Sequence, residues 1–181
     1  MTNVGQRLLD ASVSTRWILI LHAGLQFRDI RLARRPTDLV PRALLALEND
    51  EALPRFGRDT RAFVGEDDFE MIEASLVFAD LGLFNEAARV LRAVCYDEVP
   101  KDQRSPLPLY YLAYFASQQE DEETNRRYLQ EAAAMDRDFE FPSRTEAVEV
   151  LQYALQENAG DARGHLHLGN LYANLGRIDE A

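Results

Sequence analysis

Cysteine is nearly absent from this chain. A single residue, Cys95, in 181 excludes a disulfide framework and any zinc site built on thiolates. Lysine is equally scarce, with Arg supplying nineteen of the twenty basic residues. No phosphate-binding loop, Gly-rich dinucleotide turn, Gly-x-Ser-x-Gly or His-Glu-x-x-His stands anywhere in the sequence, so an enzyme reading has no residue to rest on and no cofactor or metal is expected. The apolar run Trp17-Ile18-Leu19-Ile20-Leu21 stops at His22, far short of the ~20 residues a membrane-crossing helix needs. Asp10 precedes that run and no small-residue cleavage pattern follows a positive start, so a secretory signal is not expected and the chain reads as cytoplasmic. Nine Gly and seven Pro exclude a collagen-like or low-complexity polymer.

What remains is globular: 46% of residues are hydrophobic and 28% charged. The net charge of −11 argues against a general affinity for nucleic acid or for an anionic membrane. It is unevenly spread. Residues 1–50 hold seven Arg against five acids, whereas 51–181 hold thirteen basic residues against twenty-six acids, which marks a boundary near Asn49. The arginines from Arg28 to Arg35 could serve nucleic acid, or equally form a solvated helix face.

From Asp67 onward the apolar residues recur at three and four, and no stretch sustains the alternation of a half-buried strand, so the expected fold is all-α. Ser105 before Pro106 reads as an N-cap with proline in the first turn. Ser143-Arg144-Thr145-Glu146 has the spacing of a capping box, predicting a helix from about Ser143 to Asn158.

The chain also resembles itself. Ala74-Ser75-x-x-Phe78-x-x-x-Gly82 superimposes on Leu168-Gly169-x-x-Tyr172-x-x-x-Gly176 without a gap, and the first copy continues through Ala87, Leu91 and Val94. A third copy, Leu112-Ala113-x-x-Ala116 leading to Asn125, Leu129 and Ala132, keeps the offsets but puts Glu120 where the turn glycine stood. Equivalent positions lie 38 residues apart between the first and second copies along the chain and 56 between the second and third. The longer interval holds Ala147-x-x-x-Leu151-x-x-Ala154, the spacing of the second helix in each copy, with no clear first helix before it.

These residues resemble the tetratricopeptide repeat, a 34-residue helix-turn-helix unit. The resemblance implies a right-handed α-solenoid, with units at about 68–99, 106–139 and 162–181, the last truncated, and an extra helix at 143–158. The array occupies 50–181, preceded by an irregular helical segment over 1–49. Pro108-Leu109-Tyr110-Tyr111-Leu112-Ala113-Tyr114, Phe141-Pro142-Ser143-Arg144 and the last repeat together resemble something narrower, the C-terminal repeat region of large bacterial proteins whose N-terminal portion is a β-rich, sugar-enzyme-like domain of unknown function. Nothing here corresponds to that β-rich portion. Ala181 sits where the second helix of the last unit has only begun, which is expected of a fragment or a truncated reading frame and leaves an uncapped repeat open to self-association.

A helical-repeat superhelix presents a concave surface lined mainly by the first helix of each unit. By position this surface holds Phe69, Ile72, Leu76 and Asp80, then Leu107, Tyr110, Tyr114 and Gln118, then Arg163, Leu166, Asn170 and Asn174. The competing reading for these residues is plain packing on the inserted helix or the preceding one. The function expected is a non-catalytic scaffold that binds a peptide or partner domain in that groove; the alternative is an accessory region of a larger carbohydrate-active bacterial protein. His165 and His167, at i and i+2, face opposite sides of a helix and cannot share an ion. Cys95 between Val94 and Tyr96 reads as a small buried hydrophobe, and the acidic runs Glu66-Asp67-Asp68 and Glu120-Asp121-Glu122-Glu123 as solvated helix starts.

Overall fold

The apolar spacing of three and four does form helices. The structure, a computed structural model, describes residues 51–64, 68–135, 142 and 144–181, with Ala43, Ala46, Leu47 and Asn49 before them, and leaves out the side chains of residues 63, 64 and 68–70. The expected segment over 1–49, its Arg28 to Arg35 stretch, Ser143 and the Phe69 side chain therefore lie wholly or mostly outside the described residues. Seven α-helices and no strand are found among the described residues, so the fold there is all-α. The chain divides into two compact units, Met1–Val99 and Pro100–Ala181, and the charge boundary near Asn49 falls inside the first.

In the first unit α1 (Leu53–Val64) precedes α2 (Asp68–Ala79) and α3 (Phe84–Cys95). α2 and α3 form a hairpin, and α1 lies against α3. That second contact is close because of one residue: a Cβ placed on Gly57 would stand 1.9 Å from the Ala93 carbonyl oxygen, so only glycine lets the two backbones meet. One turn later Arg61 donates from Nη1 to the carbonyls of Ala93 (3.1 Å) and Val94 (2.6 Å), which satisfies acceptors that the end of α3 leaves without helical partners.

In the second unit α4 (Pro106–Ser117) pairs with α5 (Glu122–Ala133), and α6 (Glu146–Glu157) packs on both α4 and α7 (Ala162–Asn174). The second-helix pattern read from sequence marks the buried face each time: Ala87, Val90, Leu91 and Val94 on α3; Asn125, Tyr128, Leu129 and Ala132 on α5; Ala147, Val150, Leu151 and Ala154 on α6.

The ends of α2, α4 and α7 share one geometry. Gly82 (φ 72°), Glu120 (φ 60°) and Gly176 (φ 75°) are the left-handed residues, each seven positions after the small residue of its copy, Ser75, Ala113 or Gly169. The amide that follows then reaches back to a carbonyl five residues earlier: Leu83 to Phe78 (2.9 Å), Asp121 to Ala116 (3.0 Å) and Arg177 to Tyr172 (2.8 Å). This is the bond that closes a Schellman end. Glu120 thus keeps the turn in a conformation that suits glycine.

At two helix starts the N-cap side chain makes no hydrogen bond to the helix. Ser105 is the N-cap of α4, extended at φ −106° and ψ 145°, yet its hydroxyl makes no capping bond. The N3 donor such a cap would meet belongs to Pro108, which has no N–H. α6 begins at Glu146 after Thr145, whose backbone is already helical at φ −60° and ψ −34° and whose side chain makes no cap. Bonds from Ala147 to Arg144 and from Val148 to Thr145 close that first turn through the backbone, and the expected box residue Ser143 lies outside the described residues.

Candidate functional site

α4 reads Pro-Leu-Pro-Leu-Tyr-Tyr-Leu-Ala-Tyr-Phe-Ala-Ser, and its residues from Pro106 to Phe115 are buried apart from Tyr114. A helix apolar on all sides must be covered on all sides. α5 covers one face and α6 another. Tyr110 and Tyr114, one turn apart, both face later elements of the unit.

Tyr110 is 0% exposed, which corrects its expected place on a binding surface. Its hydroxyl donates to Asp161 Oδ2 at 2.7 Å, and its ring meets the buried His167 edge-on at 6.2 Å. Asp161 is the N-cap of α7, its Oδ1 accepting from the Arg163 and Gly164 amides at 3.0 Å each. One buried carboxylate therefore caps α7 and fastens it to α4. The competing reading of Tyr110 as a packing residue is the one the geometry selects.

Tyr114 is half-buried. It donates its hydroxyl to Glu149 Oε1 at 2.7 Å and sets its ring against Tyr153 at 5.7 Å and 74°, the T-shaped arrangement favoured by ring quadrupoles. Burial, reinforced by the hydrogen bond and the charge of Glu149, pushes its phenol up to about 12. The Tyr153 hydroxyl accepts in turn from Asn125 Nδ2 on α5. Three helices thus meet around a ring pair that keeps one side open, with a carboxylate and an amide at its edge.

The other expected site residues fall out as follows. Ile72 and Leu107 are buried at 1% exposure, which removes both from any partner surface. Leu76 on α2 is half-buried, and Asp80, in the turn just after it, is exposed. In the second unit Gln118 caps the C-terminus of α4 in solvent, Arg163 and Asn170 are half-buried, Leu166 is exposed, and Asn174 donates from Nδ2 to the Pro142 carbonyl at 3.4 Å. The surface that sequence position placed between Tyr114 and Asn170 is occupied in part by α6, which packs on both α4 and α7.

Glu149, Tyr153, Asn125 and Asp161 were not singled out as site residues. Asp161 carried a visible signal, an Asp ahead of a helix and after Asn-Ala-Gly, but no spacing rule ties it to Tyr110 fifty-one residues earlier. Cys95 is buried with its thiol 3.6 Å from the Met71 sulfur. His165 is exposed and His167 buried, on opposite sides of α7. Asp121 caps α5, and accepting the Thr124 amide holds its carboxyl below the usual range. Among the described residues no cluster of three or more His, Cys, Asp or Glu could hold a metal, and no helix is long and apolar enough to cross a membrane. No family model, curated protein or solved structure matches this chain.

Proposed function

We propose that the chain is a non-catalytic interaction scaffold of tetratricopeptide type, a helical-repeat array that binds a polypeptide partner. The observation that carries this reading is the recurrence of one helix end, left-handed residue and back-reaching amide alike, at Gly82, Glu120 and Gly176. Repeats held to one register build extended surfaces whose use is recognition. On the second unit the recognition face is the open side of Tyr114 and Tyr153 with Glu149 beside them. Rigid rings supply contact area at low entropic cost, and the carboxylate orients a backbone amide or a basic side chain. A peptide-display library selected on the full chain tests this. Enriched peptides should bind with micromolar or better affinity, and Tyr114→Ala with Tyr153→Ala should weaken them at least about tenfold while the circular dichroism spectrum keeps its helical shape. Enrichment of nothing, or binding indifferent to both tyrosines, would refute the site.

A further inference from the structure

The ring pair of Tyr114 and Tyr153 sits in surroundings of one sign. Glu146, Glu149, Tyr153 and Glu157 follow one another at intervals of three, four and four along α6, which sets them on one face, the three carboxylates exposed and the ring half-buried. Neither α4 nor α6 has a basic residue in its last turn. Tyr114 lies in that turn of α4 and Tyr153 just before that of α6, so the rings stand by the negative ends of two helices with no compensating cation of their own. The positive start of α5 is offset by Glu122 and Glu123 in its first turn.

Glu149 accepts the Tyr114 hydroxyl on Oε1, and its Oε2 has no partner among the described residues. A phenol that donates to a carboxylate is polarised toward phenolate, which makes its ring a better host for a cation. The arginines of α5 are spent elsewhere or stand apart: Arg127 lies over the Tyr128 ring at 5.0 Å, and Arg126 makes no ion pair, hydrogen bond or ring contact among the described residues. The Tyr153 ring meets Tyr114 and, through its hydroxyl, Asn125, and no cation of the described residues lies over it.

We propose that the corner between Tyr114 and Tyr153 receives an arginine side chain of the polypeptide partner, its guanidinium flat against a ring and its N–H groups donating to Glu149. Rings set at 74° offer a wall for a planar group, and a carboxylate at the edge of that wall meets the guanidinium fork. The ammonium of lysine is a point charge and cannot stack and fork at once. The proposal rests on the scaffold reading and names the side chain that reading left open, so it falls alone if both tyrosines bind peptides that hold no arginine.

The probe is N-acetyl-arginine methylamide, titrated into the isotope-labelled full chain and read by NMR at the Asn125 side-chain amide and the Tyr153 backbone amide. Saturable shifts with millimolar affinity are expected, and the citrulline analogue, which keeps the shape and loses the charge, should bind at least about tenfold more weakly, as the lysine analogue should by about threefold or more. Glu149→Gln and Tyr153→Leu should each weaken the arginine probe at least about fivefold, with the remaining amide spectrum showing that the helices persist. Asp179→Asn removes an equal charge from an exposed site and should change nothing. Absence of saturable shifts overturns the proposal, as does citrulline or lysine binding as well as arginine, or binding indifferent to Glu149→Gln. Tighter binding of the trimethyllysine analogue would overturn it too and give the corner to a methylated ammonium. Display-selected peptides that need both tyrosines yet contain no arginine would refute this inference and leave the scaffold reading standing, whereas saturable arginine binding with no peptide enriched would do the opposite.

Discussion

Replacing Glu120 by glycine should make the protein more stable, although it deletes a charged side chain and adds a flexible residue. Glu120 sits at φ 60°, the only non-glycine with positive φ among the described residues, at the turn position where the other two copies carry Gly82 and Gly176. Holding a side-chain-bearing residue there costs about 1–2 kcal/mol through the crowding of Cβ against the carbonyl. Glycine removes that cost but loses more entropy on folding, about 0.4–1 kcal/mol. Nothing else is surrendered, because the Glu120 side chain is exposed and makes no ion pair or hydrogen bond among the described residues. The net gain is about 0.5–1 kcal/mol, a rise in Tm of roughly 1–4 °C for a chain of this size. Urea unfolding followed by circular dichroism measures it, with an unchanged slope showing that only the native turn was relieved. The reverse substitutions, Gly82→Ala and Gly176→Ala, meet no atom within 4 Å of the new Cβ and so test backbone conformation alone. Each should cost about 0.5–1 kcal/mol, the same two contributions with their signs reversed. A fall in stability for Glu120→Gly would mean that the three turns are not one device and would remove the main support for the repeat reading.

Gly57→Ala should be severe: a Cβ 1.9 Å from a backbone oxygen forces α1 off α3, a loss of about 3 kcal/mol or more against the ~1 kcal/mol alanine adds as a helix former, and an unchanged urea midpoint would contradict the contact. Tyr110→Phe leaves one oxygen of buried Asp161 without its donor and should cost about 1–3 kcal/mol in the same assay, with a loss below 0.5 kcal/mol counting against the link. Tyr114 titrates higher in the folded chain than the ordinary value of 10, at about 12, so its contribution is present in full below pH 10 and lost as pH rises through 12. Between those values the wild type should lose stability more steeply than Tyr114→Phe; parallel curves would say that the hydrogen bond to Glu149 does not form.

Helix positions were legible where period and punctuation agreed. Ser105 before Pro106 opens α4 and the acidic run over 120–123 stands at the start of α5, as expected, and the copies at Ser75, Ala113 and Gly169 mark the three turns, Glu120 included. α6 is described from Glu146, and Ser143, the residue that would open its capping box, lies outside the described residues. α1 lies before Asp67, where the apolar spacing of three and four sets in, and Pro54 stands in its first turn, where proline is tolerated. The site was less readable than the fold. Repeat position says which residues share a face, but burial depends on what lies over that face, and α7 reaches Tyr110 while Leu166, its repeat equivalent, stays exposed. Tertiary cover of this kind leaves no local mark in a sequence.

The bond between Tyr110 and Asp161 also bears on how the second unit opens. Helix ends normally fray on their own, exchanging amide protons through local excursions that leave the rest of the fold intact. The first amides of α7, at Arg163 and Gly164, are held by a carboxylate whose other oxygen is anchored to the middle of the unit's most enclosed helix. Releasing them requires drawing Asp161 away from Tyr110, and so disturbing α4. In deuterium these two amides should therefore exchange at nearly the rate of the α4 core, while the opposite end of the same helix, around Asn174, exchanges far sooner.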